Sequence, residues 1–183
     1  MNLRERLTER INKNDIREII SCVSANESEI EKLYQLIFDE DKTVSYQALW
    51  ICTHFNQEEN KWLESKQQEI IEETLQCTHP GKRRLLLSLL HKQSFPDPPR
   101  VDFLDFCLKH MMSKDELPAA KSLCMKLAYE LCKTIPELMS EYRNMLELME
   151  PSLLASAVRA VRRNTLKSIN AFSKNRGRTA ARR

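Results

Sequence analysis

Glycine is almost missing from this chain: 183 residues contain two, Gly81 and Gly177. A Gly-rich loop that cradles phosphate cannot be assembled from them. Long apolar runs are absent too: Leu85-Leu86-Leu87 followed after Ser88 by Leu89-Leu90 falls far short of the ~20 residues of a membrane span. No Gly-x-Ser-x-Gly elbow or His-Glu-x-x-His pair occurs, and His54, His79, His91 and His110 have no acidic partner at a readable spacing. We therefore expect no enzyme, no resident metal and no small-molecule cofactor. The first ten residues carry charge of both signs and no apolar stretch, unlike a secretory signal or an acid-poor transit peptide. A cytoplasmic protein without membrane contact is expected. The chain also lacks the loop-rich look of a disulfide scaffold, so Cys22, Cys52, Cys77, Cys107, Cys124 and Cys132 are expected to be reduced core thiols.

What the chain has in quantity is Leu, Glu, Lys, Arg, Gln and Met, residues that keep rotamer freedom in a helix. An all-α fold follows. A chain of this length can bury a single core, because ~70% of the unfolded surface is hidden at about this size. Charge is unevenly placed. Nine of the 29 basic residues and none of the 26 acidic ones fall at or after Arg159, which leaves 20 basic against 26 acidic groups in residues 1–158. A body of −6 thus adjoins an end of +9.

A pattern recurs along this charge gradient. Val44-Ser45-x2-Ala48-x3-Cys52 aligns with Arg83-Arg84-x2-Leu87-x3-His91, with Ala120-Lys121-x2-Cys124-x3-Ala128 and with Leu154-Ala155-x2-Val158-x3-Arg162, at offsets of 39, 37 and 34 residues. An apolar residue precedes each start by eight positions: Leu36, Leu75, Met112 and Leu146. Two helical segments around a short turn therefore repeat together, the signature of a solenoid.

Read in order, residues 1–28 form an N-terminal helical cap with a turn or cap signal at Asn12-Lys13-Asn14; 29–168 form the repeat array; 169–183 form a basic, flexible tail. Thr43 is expected to cap the helix through Phe55, Asn56–Asn60 to interrupt the pattern, and Trp62–Cys77 to resume it. His79-Pro80-Gly81 reads as a turn before a helix over 82–92. Ser94–Arg100, with prolines at 96, 98 and 99, cannot continue a helix. A helix over Val101–Met112 follows, then one opened by Pro118 and one after Thr134-Ile135-Pro136-Glu137. Pro151 opens the last, which should end near Ile169.

The helix, charged turn and Asp41-x2-Val44-x3-Ala48-x3-Cys52 sequence resembles HEAT and armadillo-like repeats. That resemblance implies a right-handed α-α superhelix of about four to five helical hairpins. It also implies a concave face lined by the second helix of each pair, where the position after the Val equivalent reads Ser45, Arg84, Lys121 and Ala155. Arg83, His91 and Arg162 depart from the apolar residues usual at their places.

Other constellations support less. Cys52/His54, Cys77/His79 and Cys107/His110 suggest zinc, yet each pair lacks the four ligands of a closed site and the first two lie roughly 20 Å apart along antiparallel helices. Trp50 and Trp62 read as packing residues, and Pro96-x2-Pro99-Arg100 as an inter-helix loop. Lys82 and Arg83 lie at a helix start, where positive charge opposes the helix dipole, and are candidates for anion binding. Arg159, Arg162, Arg163 and Lys167 share a helix face at i, i+3, i+4 and i+8 and continue into the basic end. A non-enzymatic scaffold that docks a protein or peptide on Ser45, Arg84 and Lys121 fits these features best. The alternative is nucleic-acid binding through the basic C-terminus, resembling the HEAT-like DNA glycosylases, although the acidic body opposes a long basic groove.

Overall fold

The computed structural model describes the backbone of residues 2–180 and the side chains of residues 2–172. Eleven α-helices and two 3-10 turns make up their regular structure, with no strand among the described residues. The chain divides into two compact units, Met1–Gln93 and Ser94–Arg183. The division falls at the proline-rich loop.

In the first unit most helices start at a side-chain cap. Asn2 caps α1 (Leu3–Arg6), Asn12 caps α2 (Lys13–Val23), and Asn26 caps α3 (Glu27–Gln35), which tightens into a 3-10 turn, Leu36–Phe38. Each asparagine accepts backbone N–H groups that have no partner within the helix. Asp41, rather than Thr43, caps α4 (Lys42–Cys52), accepting from the Thr43 and Val44 amides. Asn56 does not interrupt the helical pattern but begins α5 (Gln57–Glu64), through a capping box with Glu59. The interruption comes later, at Ser65–Lys66, before α6 (Gln67–Gln76). Pro80 and Gly81 lie within α7 (Pro80–Leu90), capped by His79, because proline at the first helical position forfeits no hydrogen bond.

Packing repeats the sequence period. Ser24 donates to Glu59 at 2.6 Å, Trp62 Nε1 to Glu27 at 2.9 Å and the Tyr34 hydroxyl to Glu69 at 3.1 Å, and each pair lies 35 residues apart. Lys66 spans the same interval to reach Glu31 at 3.1 Å. The first helices of successive hairpins, α3 and α5–α6, therefore lie side by side, while α4 packs on α7. These second helices are apolar around much of their girth: Val44, Ala48, Leu49, Ile51 and Cys52 are fully buried, as are Leu86, Leu87, Leu89 and Leu90. Burial of each such leucine stabilises the unit by about 1.5–3 kcal/mol.

The second unit contains two hairpins. α8 (Val101–Met112) pairs with α9 (Pro118–Cys132), and α10 (Pro136–Leu148) with α11 (Ser156–Ala180), which also lies along α9. Phe103, Met111, Cys124, Leu127, Tyr142 and Leu146 form its core. Tyr142 donates its hydroxyl to the Met125 carbonyl at 2.6 Å, joining α10 to α9. Two expectations change here. Pro151 opens a 3-10 turn, Pro151–Leu153, and the final helix starts at Ser156. That helix also continues past Ile169 to Ala180, since an established helix propagates through residues such as Ala171, Lys174 and Arg176. The rest of the expected flexible tail, Ala181–Arg183, lies outside the described residues.

Not all six thiols belong to the core. Cys52, Cys107, Cys124 and Cys132 are buried, whereas Cys77 is half-buried and Cys22 exposed.

Candidate functional site

The first unit holds an open cleft of about 580 Å³ where the N-terminal turns of α4 and α7 meet the C-terminal end of α6. Lys42, Thr43 and Tyr46 line it from α4, Glu73 and Gln76 from α6, and His79 and Lys82 from the start of α7. The His79 ring accepts the Lys82 amide through Nδ1 at 3.1 Å and meets Tyr46 edge-on, with ring centroids 6.3 Å apart. Gly81 permits that approach. A Cβ there would lie 3.1 Å from His79 Cε1 and 3.3 Å from Tyr46 Cε2, tighter than most side-chain contacts. Asp39 borders the cleft and is held by Arg4, with Nε to Oδ2 at 2.8 Å and Nη2 to Oδ1 at 3.1 Å. The Arg4 hydrogen bonds, and then the Asp41 amide, keep this carboxyl below the usual carboxylate range.

Several residues singled out in the sequence hold the hairpins together. Ser45 is 2% exposed, and its hydroxyl is donated to the Ile37 carbonyl at 2.5 Å. It borders the cleft but offers little surface. Lys82 Nζ pairs with Glu73 at 2.7 Å and also donates to the Ile37 carbonyl at 3.0 Å. Arg83 Nη1 donates to the carbonyl of Cys77, the C-cap of α6, at 2.8 Å. The positive charges that oppose the α7 dipole therefore face the C-terminal ends of the preceding helix and 3-10 turn, where cations are favoured. Arg84, by contrast, is half-buried and has no hydrogen bond or ion pair among the described residues. Lys121 on α9 is in the same condition in the second unit.

The basic face of α11 divides in the same way. Arg162 Nε donates to the Leu146 carbonyl at 2.7 Å, so this guanidinium caps α10. Arg159 is exposed and donates to the Leu154 carbonyl at 3.1 Å. Arg163 and Lys167 are exposed, with no hydrogen bond or ion pair among the described residues. Sequence spacing finds the face but not these acceptors, because carbonyl partners depend on tertiary placement.

The remaining constellations have structural partners. Trp62 is half-buried against Tyr34, edge-on at 5.7 Å, and Trp50 against His54 at 5.9 Å. Pro99 is buried, so Pro96 and Pro99 do not form an exposed pair. One histidine does have an acidic partner, contrary to the sequence expectation: His110 Nδ1 lies 2.7 Å from Glu116, whose side chain is 1% exposed. Their spacing across the α8–α9 turn carries no motif that would announce the pair. Among the described residues no cluster of three His, Cys, Asp or Glu side chains is placed to hold a metal. No helix among them is long and apolar enough to cross a membrane.

No curated protein and no solved structure matches the chain. The family model described as HEAT repeat domain matches residues 3–169, nearly the whole of the helical repeat and its N-terminal helices. Stacked helix pairs at a 35-residue contact interval are the structural counterpart of that match. The chain belongs to the HEAT repeat family.

Proposed function

We propose that the chain is a non-enzymatic cytoplasmic scaffold that docks a segment of a partner protein, with the α4–α7 cleft as the principal seat. The observation that carries this reading is the construction of the cleft. Its polar walls are held in place before any ligand arrives, by the Lys82–Glu73 pair, the Arg4–Asp39 fork and the hydrogen bond that the Lys82 backbone N–H donates to His79. Such preorganisation reduces the entropy cost of binding. Tyr46 and His79 provide an aromatic anchor flanked by charge of both signs, the composition that centres protein interfaces. Arg84 and Lys121, each within its own unit, are assigned to acidic side chains of the partner. Residues 1–28 serve as a cap, with Leu7, Ile16, Ile19 and Val23 buried on their inner side.

Site-specific photo-crosslinking tests the assignment. A crosslinker in place of Thr43, at the rim of the cleft, should trap a discrete partner, whereas one in place of the exposed Glu18 on α2 should not. The purified partner should then lose at least about tenfold in affinity on Tyr46→Ala, the scale of a ~1.4 kcal/mol contact. Undiminished binding by that variant would overturn the cleft as the seat.

A further inference from the structure

Between Ser156 and Ala171 the exposed side of α11 carries no large apolar side chain. The helix buries Val158, Thr165 and Ile169 in the second unit. Phe172, still 38% exposed, lines a small recess with Pro136, Met139 and Ile169, off the side that carries the cations. Between Ser156 and Ala171 the outward positions instead carry Arg159, Arg163, Asn164, Lys167 and Asn170, with only serine and alanine beside them. Arg159, Arg163 and Lys167 recur every four residues, which places successive cations about 6 Å apart along one side of the helix. No acidic residue follows Arg159, so the helix's own sequence does not neutralise this row. On α10, Glu147 is paired with Arg143 at 2.8 Å.

We propose that this face of α11 binds duplex nucleic acid through its phosphates, without reading bases. An evenly spaced row of cations is matched by a partner whose negative charge also repeats, as the phosphodiester backbone does. A bilayer would need the apolar side of the helix to be free, and that side is buried in the fold. Protein interfaces centre on aromatic or apolar anchors, and this face has none. Single-stranded binders stack bases on aromatic side chains, also missing here, which favours a duplex. The acidic body is no obstacle, because contact is confined to one helix. The proposal concerns the second unit and does not depend on the cleft of the first.

The test is fluorescence anisotropy of the full chain with a labelled 20-base-pair duplex at several salt concentrations. Three phosphate contacts predict a log–log salt slope of about −2.7 or steeper, a loss of about 40-fold or more in affinity between 50 and 200 mM salt. Duplexes of unrelated sequence should bind alike. The double variant Arg163→Gln/Lys167→Gln alters two exposed positions and should keep its circular dichroism while the slope becomes shallower by about 1.8. Three outcomes would overturn the proposal: no binding at 50 mM salt, an unchanged slope in the double variant, or preference for a single strand. A fourth, tighter binding of polyglutamate than of duplex, would reassign the face to an acidic protein.

Discussion

Gln47 is the most informative residue to change, because one buried amide holds three backbone groups of the N-terminal segment. Its Oε1 accepts the Ile11 amide at 2.8 Å, while Nε2 donates to the carbonyls of Leu7 and Glu9, both at 2.7 Å. The side chain is 6% exposed on a face of α4 that otherwise carries Val44, Ala48 and Ile51. Gln47→Leu keeps the approximate volume but strands the Ile11 N–H and the Leu7 carbonyl, both in buried bonds; the Glu9 carbonyl is nearer water. Each stranded buried group costs about 1–3 kcal/mol, and the added apolar contact of leucine offsets part of this, so the net loss should be about 2–4 kcal/mol. Urea unfolding of the first unit should register that loss. Native-state hydrogen exchange should place it, with the Ile11 amide losing protection while Tyr142 and its neighbours keep theirs. A loss below about 0.5 kcal/mol, within the range of an ordinary surface substitution, or an unchanged Ile11 amide, would refute the reasoning.

Tyr142→Phe should cost about 1 kcal/mol through the bond to Met125, read from the unfolding of the second unit. Burial also keeps the Tyr142 hydroxyl protonated well above its ordinary range, so its ultraviolet titration should appear only on alkaline unfolding. Asp39→Asn should destabilise the first unit in a pH-dependent way. The folded carboxyl titrates below the unfolded one, so its contribution is present above about pH 4 and is lost as pH falls through the lowered folded value. Melting curves of parent and variant should therefore converge in acid and separate toward neutrality. Ellman's reagent at pH 8 should label Cys22 rapidly and Cys52 only on unfolding, since burial pushes the Cys52 thiol up to about 12. Rapid native labelling of Cys52 would contradict its placement in α4.

Local chemistry announced some elements in full. Val101–Met112 is helical as read, bounded by prolines before it and by Ser113 after it, and Pro118 opens α9 because the loss of its N–H is harmless there. Asn56 misled through weak periodicity. The segment Gln57–Glu64 buries Leu63 and little else that is apolar, although Asn56-x2-Glu59 is a legible capping box. Gln47 carried a readable sign as well, a polar residue on an apolar helix face, but its partners lie 36 to 40 residues away and no spacing rule reaches them. The same holds for the clamps Ser45, Lys82, Arg83 and Arg162. Their types suggest binding, while the carbonyls of Ile37, Cys77 and Leu146 that they cap become visible only once the helices are packed.

The central claim, that a partner segment docks in the preorganised cleft, is tested most directly by mapping amide chemical-shift changes as the crosslinked segment, made as a peptide, is titrated into labelled protein. Changes should concentrate at Thr43, Tyr46, Gln76, Thr78 and His79 and saturate together with one affinity. Saturating changes that spare these five residues and gather elsewhere would contradict it.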